Sequence, residues 1–347
     1  MTVQPLAGFK NLATHHCVTG SMRHVYAFND HDISEDMLLG IGAGVSFSYF
    51  HYKGSDPFMG GRGMPKPSLE ELAGLRTGVM VKSYTTTSER KARQSLLELL
   101  DAGQPVMLQV DMGFLPYFDF DGQEYHFGGH AIVACGYDSA TDTVLIADRD
   151  SELYPVSMAD LERARGSKFK PFPPKHRWYT FDFSEKLQPT AGEVYEAIQQ
   201  QAELMLNPPI RNLGIKGIQK AAEVVPQWVD VLEGDKLNWA LFNAYIFISP
   251  VGGSGGGLFR YMFSRFLHEA ADITDDDRLH ETAATFQFIG DRWEEVGAWC
   301  KVTSELAIPA DTIAEISIPL LALADLEQEA WTQLQTIVET AGERQTA

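Results

Sequence analysis

The sequence predicts an α+β protein with two domains: a mixed N-terminal domain with an antiparallel sheet, and a mainly α-helical C-terminal domain. Short apolar runs bounded by turn residues, such as PVMLQVD (105–111), are typical of buried strands. After Pro189, apolar residues recur at helical spacing. The length of 347 residues suits two domains of ordinary size. We therefore place the domains at residues 1–185 and 186–347.

The N-terminal domain begins with two predicted helices. The first starts near Cys17, and the second begins at Ser34, a cap residue followed by acids that suit a first turn. A strand is expected over SFSYFHY (46–52), and the Gly- and Pro-rich segment GSDPFMGGRGMPKP (54–67) is long enough to be a lid. The segment SERKARQSLLELLDAG (88–103) is predicted to be an amphipathic helix that ends at a glycine.

Two further strands are predicted in HAIVACGYDSATDTVLIADRD (130–150), where a polar turn joins two apolar runs. The basic, Pro-rich segment KFKPFPPKHRWYTF (168–181) follows. Five segments of the C-terminal domain have helical spacing, and the segment PVGGSGGGLFR (250–260) interrupts them.

The composition is that of a globular protein with a strong negative charge, because 44% of the residues are hydrophobic and the net charge is −19. Such acidity disfavours nucleic-acid binding. The acidity favours binding of cationic small molecules such as polyamines or amino sugars. The alternative, which explains the acidity equally well, is that it only keeps the protein soluble. The sequence contains no run of about 18 apolar residues, so we expect no membrane span. The start, MTVQPLAGFKN, lacks a signal-peptide pattern, so we expect a cytoplasmic protein.

The three cysteines are too scattered for a disulfide framework or a CxxC metal site. Cys135 and Cys300 lie in apolar patterns and are expected in the core. Cys17 precedes a predicted helix, whose N-terminus stabilises a thiolate. The alternatives for Cys17 are a buried structural thiol or a metal site with His15 and His16, which we disfavour because adjacent histidines point in different directions.

A nucleophilic thiol needs a base and a group that orients the base. His130 follows two glycines, Gly128 and Gly129, which allow chain or substrate to approach closely, and it opens an apolar strand. The next strand returns antiparallel from a turn centred near residue 140. Alternation of side chains then places either Asp148 or Asp150 beside His130.

A cysteine at a helix start, a histidine at a strand start and an aspartate one hairpin later have the order and topology of papain-like cysteine enzymes. Such sites also need an oxyanion donor, for which Asn11, six residues before Cys17, is the candidate together with the Cys17 backbone N–H. Many such enzymes have glutamine at that place.

The ordered segments HHCVTGSMR, SEDMLLGIGAGVSFSY, GQPVMLQVD, LPYF, HFGGHAIVACGYD and LIADRD resemble the N-terminal domain of the butirosin biosynthesis protein H family. The later segments GIKGIQ, GGSGGGLFRYMFSRFLHEAA and GDRWEEVGAW resemble the helical domain that usually accompanies it. The resemblance implies a papain-like acyltransferase. The butirosin protein moves an aminoacyl group from an acyl carrier protein onto an amine of an aminoglycoside, and what the resemblance carries over to this chain is the reaction type. The resemblance also implies that Cys17 carries the acyl group as a thioester, that His130 is the general base and acid, and that Asp148 orients His130.

Five further residues are candidates for substrate contact: Glu35, Asp111, Tyr117, Gly129 and Arg260. Glu35 suits a substrate amine or, slightly better, the first turn of its helix. Arg260 follows a glycine-rich stretch that lacks the Lys-Ser/Thr pair of a P-loop, and it suits a carboxylate or phosphate. The alternative for that stretch is a flexible linker. The basic segment 168–177 is a docking site for an acidic carrier protein or, equally well, a charged loop without a partner.

The function predicted is transfer of an acyl group from a carrier thioester, through Cys17, onto an amine of a small molecule in natural-product biosynthesis. The expected partners are an acyl carrier protein or other acyl-thioester donor, such as a phosphopantetheine-linked one, and a small, cationic amine. We expect no protein-bound cofactor, metal, nucleic acid or membrane, and a homodimer is left open. The alternatives are a cysteine peptidase or amidase with the same triad, and a non-catalytic binding protein.

Overall fold

The computed structural model describes residues 3–52, 55–120, 122, 124–306 and 312–346. Contacts divide the chain into two units, the first formed by Met1–Leu38 and Thr77–Gln188, and the second by Leu39–Arg76 and Pro189–Ala347. The boundary near residue 188 lies close to the predicted one at residue 185. The division nevertheless differs from the prediction, because residues 39–76 belong with the C-terminal helices.

The fold is α+β, with more helix than strand. The helices of the described residues are α1 (Cys17–Phe28), α2 (Glu35–Ile41), α3 (Leu69–Leu75), α4 (Glu89–Asp101), α5 (Met158–Gly166), α6 (Ala191–Leu206), α7 (Gly214–Val224), α8 (Trp228–Val231), α9 (Asp235–Ile248), α10 (Arg260–Thr274), α11 (Asp277–Ser304) and α12 (Ser317–Thr346). The strands are β1 (Val45–Phe50), β2 (Phe58–Arg62), β3 (Met80–Tyr84), β4 (Val106–Val110), β5 (His130–Asp138), β6 (Thr143–Ala147), β7 (Leu153–Ser157) and β8 (Trp178–Asp182).

The first unit is built on an antiparallel sheet with the strand order β3-β8-β4-β5-β6-β7 among the described residues. Strand β5 is buried on both faces through its first seven residues, which explains its continuous apolar sequence. Helix α1 packs against β5. Apolar residues of α4 and α5, such as Leu96 and Leu161, pack with Ile132 and Ile146 of the sheet in a core from which solvent is nearly excluded.

In the second unit, the segment predicted as a Gly- and Pro-rich lid contains β2, which pairs antiparallel with β1. This hairpin packs against α7 and α9, which is why residues 39–76 belong with the helices. Polar contacts support the packing: the Asn212 side-chain amide donates to the Tyr49 carbonyl at 2.7 Å, and the Trp228 indole donates to the Tyr49 hydroxyl at 2.9 Å. No helix of the described part of the chain is long and apolar enough to cross a membrane.

Candidate active site

Cys17 is the first residue of α1, as the sequence predicted. His16 is the N-cap and has extended backbone angles, so the chain turns sharply into the helix at this point. The thiol is free and half-buried. It therefore lies at the positive end of a twelve-residue helix, where a negative charge on sulfur is stabilised.

His130 and Asp148 lie next to each other in the adjacent strands. Val133 pairs with Ala147, so the register places Asp148, just beyond β6, diagonally opposite His130 at the start of β5. His130 Nε2 lies 2.7 Å from Asp148 Oδ2, and both side chains are buried. Of the two aspartates that alternation left open, Asp148 is the one beside His130. Asp150 instead accepts hydrogen bonds from the Tyr154 hydroxyl and the Glu152 backbone N–H.

The loop before Cys17 is attached to the segment that follows β6. The Thr14 backbone N–H donates to the Arg149 carbonyl at 2.6 Å. The Asn11 side-chain amide donates to the carbonyls of Asp150 and Glu152 at 3.2 and 2.8 Å. These bonds hold the start of α1 close to the Asp148 region, where His130 lies near enough to the Cys17 thiol to lower its pKa. Because Nε2 of His130 faces Asp148, Nδ1 is the ring nitrogen left for the thiol.

The prediction that Asn11 donates to an oxyanion is therefore wrong for this arrangement. Both N–H groups of its amide are directed at backbone carbonyls on the far side of the loop. An amide has only two such donors, so none remains for a reacting oxygen. Asn11 anchors the loop that carries Cys17, and the backbone N–H of Cys17, in the first turn of α1, is the donor that stays available for an oxyanion.

The three side chains perturb one another's protonation. Burial alone raises the pKa of the Cys17 thiol, but His16 and His130 outweigh it and hold the pKa well below its ordinary value of 9.0. Burial alone lowers the pKa of His130, but the Asp148 carboxylate and the Cys17 sulfur raise it to about 9. Burial opposes the charge on Asp148, and the His130 cation together with other neighbours still lowers its pKa. These directions favour a thiolate–imidazolium pair at neutral pH.

Tyr117, predicted to contact substrate, contacts Asp148 instead. Its hydroxyl donates to Asp148 Oδ2 at 2.9 Å, the same oxygen that faces His130. Its ring stacks on Tyr154 with centroids 4.0 Å apart. Tyr117 therefore holds the carboxylate in place, and its own pKa is raised well above 10 by burial and by the neighbouring Asp148 charge.

The carboxylate of Glu35 faces the residues that precede Cys17. It accepts the backbone N–H groups of His15 and His16 at 2.9 and 2.8 Å and the Thr19 hydroxyl at 3.1 Å. These bonds use both of its oxygens, so the predicted contact with a substrate amine is not what the structure shows. From the sequence, the first turn of its own helix is the favoured role for Glu35. Its contact with the residues before Cys17 could not be predicted, because those residues lie about 20 positions earlier in the chain.

His16 is a residue of the site that sequence reasoning set aside. It is buried, and its charge and a hydrogen bond act on the Cys17 thiol. The available signal was its position directly before the cysteine. Adjacent side chains diverge in regular structure, which argues from sequence against a shared role with Cys17, but His16 lies at a helix cap, where the backbone is not regular.

Asp111 is buried at the end of β4 and accepts several hydrogen bonds from the protein itself. The donors are the backbone N–H groups of Gly113 and Phe127, the His126 ring and the Ser167 hydroxyl. The prediction that it contacts substrate is therefore wrong, because its carboxylate connects loops of the first unit.

The two glycines before His130 differ in what they permit. A Cβ at Gly128 would lie 2.2 Å from the Phe172 carbonyl oxygen, so this glycine permits close approach of the protein's own chain. A Cβ at Gly129 would meet only the Phe127 ring, at 2.9 Å. The close approach predicted for the pair is therefore explained at Gly128 by packing, and a substrate contact at Gly129 stays a prediction.

Arg260 is buried in the second unit, at the start of α10. Its Nε donates to Glu327 at 2.7 Å, and its Nη1 donates to the carbonyls of Ser46 and Leu258. The preceding glycine N–H groups are also used, because those of Gly256 and Gly257 donate to Ser254 and Glu294. The prediction of a carboxylate or phosphate site at Arg260 is wrong, because its charge is neutralised inside the protein.

The other two cysteines are buried, as predicted, and burial raises the pKa of each to about 12. Of the three cysteines, Cys17 is thus the one that ionises to a thiolate most readily. Among the described residues, no group of three or more His, Cys, Asp or Glu is arranged to hold a metal ion.

Comparison with known proteins assigns both parts of the chain. The family model described as "Butirosin biosynthesis protein H, N-terminal" matches residues 16–149, a range that contains Cys17, His130 and Asp148. The model described as "Domain of unknown function (DUF4872)" matches residues 159–334, about half of the chain. A search of curated proteins gave no match. The chain belongs to the butirosin biosynthesis protein H-like family, in which that N-terminal domain is followed by this second domain.

Proposed function

We propose that this protein is a papain-like cysteine acyltransferase of antibiotic or related secondary metabolism, which moves an acyl or aminoacyl group from a thioester donor onto an amine. The observation that carries the proposal is the arrangement of Cys17, His130 and Asp148. The thiol lies at a helix N-terminus beside His130, and His130 Nε2 lies 2.7 Å from the buried Asp148. The family supports a role in biosynthesis.

The first half-reaction acylates Cys17. The thiolate attacks the thioester carbonyl carbon, and the Cys17 backbone N–H, at the start of α1, stabilises the oxyanion of the tetrahedral intermediate. Collapse of the intermediate breaks the bond to the donor sulfur. The His130 imidazolium gives its proton to that sulfur, so the donor leaves as a thiol and the acyl group stays on Cys17.

The second half-reaction transfers the acyl group to an amine. The nitrogen attacks the Cys17 thioester while His130, now neutral, takes a proton from the nitrogen. The intermediate collapses to the amide, and the bond to Cys17 breaks, which restores the thiolate and the imidazolium. Throughout, Asp148 stabilises the charged form of His130, and Tyr117 holds Asp148 in position.

The donor we propose is a thioester on the phosphopantetheine arm of an acyl carrier protein, and the acceptor is a small amine. Carrier proteins are acidic, and the segment between Lys168 and Arg177 supplies basic side chains, several of them exposed, on an otherwise acidic protein. The net charge of −19 favours approach of a cationic acceptor. A peptidase or amidase would use the same triad, with water as the acceptor.

The test is product analysis with small acyl thioesters or acyl carrier protein thioesters and a panel of amines, polyamines and amino sugars included. We expect amide formation that Cys17→Ala abolishes and Cys300→Ala leaves unchanged, since Cys300 is buried in α11. Full turnover in Cys17→Ala would overturn the proposal. The ratio of amide to free acid separates the two chemistries, because a hydrolase gives free acid even at high amine concentration.

A further inference from the structure

A buried histidine, His24, connects the helix that carries Cys17 to the loop that precedes that helix. His24 lies two turns after Cys17 on α1, roughly 10 Å further along the helix axis, so the two residues share one face of the helix. Its Nε2 accepts the Leu12 backbone N–H at 3.1 Å and lies 3.0 Å from Asn11 Oδ1. The loop is therefore attached to α1 at a second point besides the chain itself.

The contacts of His24 determine which of its ring nitrogens carries a proton. Nδ1 lies 2.9 Å from the Gly20 carbonyl oxygen, which can only accept, so Nδ1 is the donor. Burial holds the pKa of His24 below its ordinary value of 6.5, and the neutral ring has a lone pair on Nε2 for the Leu12 N–H. In the cation, Nε2 would instead donate to Asn11 Oδ1. The ring thus holds the loop in either protonation state.

Asn11 continues the connection to the segment that follows Asp148. Its side-chain amide donates to the carbonyls of Asp150 and Glu152 at 3.2 and 2.8 Å. Both carbonyls can only accept, so the amide nitrogen faces them and the amide oxygen faces His24. A continuous set of polar contacts therefore runs from α1, through His24 and Asn11, to the chain just beyond Asp148.

The same loop packs directly against α1 at Gly20. A Cβ at Gly20 would lie 2.3 Å from Thr14 Oγ1, so a side chain at this position would displace the loop from the helix. On its other side, the Thr14 backbone N–H donates to the Arg149 carbonyl at 2.6 Å. Residues 11–14 are therefore held between α1 and the segment 149–152, and Cys17 follows three positions later.

We propose that His24 and Asn11 form a brace that positions Cys17 relative to the pair of His130 and Asp148. Cys17 begins α1, and Asp148 lies directly before the segment that Asn11 holds, so the brace fixes the separation of the two ends of the triad. The hydrogen bonds of both residues go to backbone groups of these segments, so they are positioning residues. Because the attraction between two charges weakens with distance, a thiolate displaced from a charged His130 is less stabilised.

The inference rests on the proposed function only in taking Cys17 as the nucleophile and His130 as its partner, and it is tested without a substrate. The rate of Cys17 alkylation by iodoacetamide is measured against pH, with the labelled site identified by peptide mass. His24→Phe is the decisive variant, because it keeps a ring that can stack on Phe9, as His24 does, and removes both nitrogens. We expect the alkylation midpoint to rise by about one pH unit.

Two further variants test the hydrogen bonds themselves. His24→Gln should return the midpoint toward the wild-type value, because glutamine places an amide oxygen near the position of Nε2, where it accepts the Leu12 N–H. Asn11→Ala should raise the midpoint in the same direction as His24→Phe. The double variant His24→Phe, Asn11→Ala should shift it no further than the larger single shift, because the two residues act in series.

His31→Phe is the matched control. His31 is also buried, stacks on a neighbouring aromatic ring and lies 3.0 Å from a backbone carbonyl, that of Thr77, but it follows the other end of α1. This variant should keep the wild-type midpoint.

A wild-type midpoint in His24→Phe, with a melting temperature close to that of the wild type, would overturn the inference. A shift that His24→Gln does not reverse, an equal shift in His31→Phe, or additive shifts in the double variant would do the same. If His24→Phe does not fold, a wild-type midpoint in Asn11→Ala is the contradicting result. A shifted midpoint without amide formation by the wild type contradicts only the proposed function, and amide formation without a shift contradicts only the brace.

Discussion

His130 Nε2 lies 2.7 Å from Asp148 Oδ2, and the two side chains are 2% and 6% exposed. A buried imidazole on its own loses basicity, and the adjacent carboxylate reverses that effect, so the pKa of His130 is raised to about 9. This pair is what makes Cys17 a candidate nucleophile rather than a structural thiol, because a charged His130 stabilises the thiolate beside it.

Asp148→Asn should lower the pKa of His130 from about 9, because the Asp148 charge is lost while burial, which opposes the charge on His130, remains. We expect acyl transfer to slow by about 100-fold. The pKa is measured by NMR of labelled histidine side chains, and the rate by amide formation. Asp150→Asn is the matched control, since Asp150 contacts Tyr154 and Glu152 rather than His130. Equal losses in the two variants would contradict the assignment of Asp148.

Tyr117→Phe should slow acyl transfer by about 10-fold and lower the free energy of unfolding by about 1–2 kcal/mol, since it removes a hydrogen bond to a buried charge. The ring and its stacking on Tyr154 are retained. Rates and thermal unfolding of the two variants Tyr117→Phe and Tyr154→Phe provide the comparison. Tyr154→Phe should keep the wild-type rate, because its hydroxyl donates to Asp150. If Tyr154→Phe transfers the acyl group more slowly than Tyr117→Phe, the role proposed for Tyr117 is wrong.

Acylation of Cys17 should depend on pH through two groups. The rate should rise as pH passes the lowered pKa of the thiol, because the thiolate attacks. It should fall above about pH 9, because His130 then loses the proton that the departing thiol needs. The profile is measured from single-turnover acylation with a small thioester. A rate that keeps rising between pH 9 and 10 would show that a charged His130 is not required.

Glu327 should matter for stability and not for binding anions. Its two oxygens accept the Arg260 guanidinium and the indole N–H groups of Trp293 and Trp331 at 2.7–2.8 Å, all buried. Glu327→Gln leaves the Arg260 charge without a counter-charge, and we expect a loss of about 3–5 kcal/mol in the free energy of unfolding. The double variant Arg260→Met, Glu327→Gln should lose less than the single Glu327→Gln. Thermal unfolding measures both, and an undiminished loss in the double variant would contradict a buried ion pair.

The parts of the site that could be predicted from sequence depend on local patterns. The helical pattern after Cys17 placed the start of α1 near that residue. Alternation along a hairpin placed an aspartate beside His130, because a turn near residue 140 determines which residues face each other. The bulge between Ala134 and Gly136 lies between the turn and the site, and it shifts the register there by one residue, so that Val133 pairs with Ala147 and the even-numbered His130 and Asp148 come to the same face.

The parts that could not be predicted depend on contacts between segments distant in sequence. Arg260 was expected to bind a ligand, since nothing local identifies Glu327, 67 residues later, as its partner. Asn11 donates to carbonyls about 140 residues away, which spacing before Cys17 does not reveal. For strand β2 the sequence predicts a loop, because Phe58–Arg62 has the sequence FMGGR, whose glycines are poor strand formers. It pairs because β1 and the helices of its unit hold it in place.

The most direct test of the central claim is to trap the acyl-enzyme. The wild-type protein, Cys17→Ala and Cys135→Ala are mixed with an acyl thioester without amine, quenched in acid within one turnover, and analysed by intact mass and peptide mapping. We predict one acyl group per chain, located on Cys17, in the wild type and in Cys135→Ala, and none in Cys17→Ala; later addition of an amine should convert the adduct to amide. An acyl group on another residue, or an equal adduct in Cys17→Ala, would contradict the account.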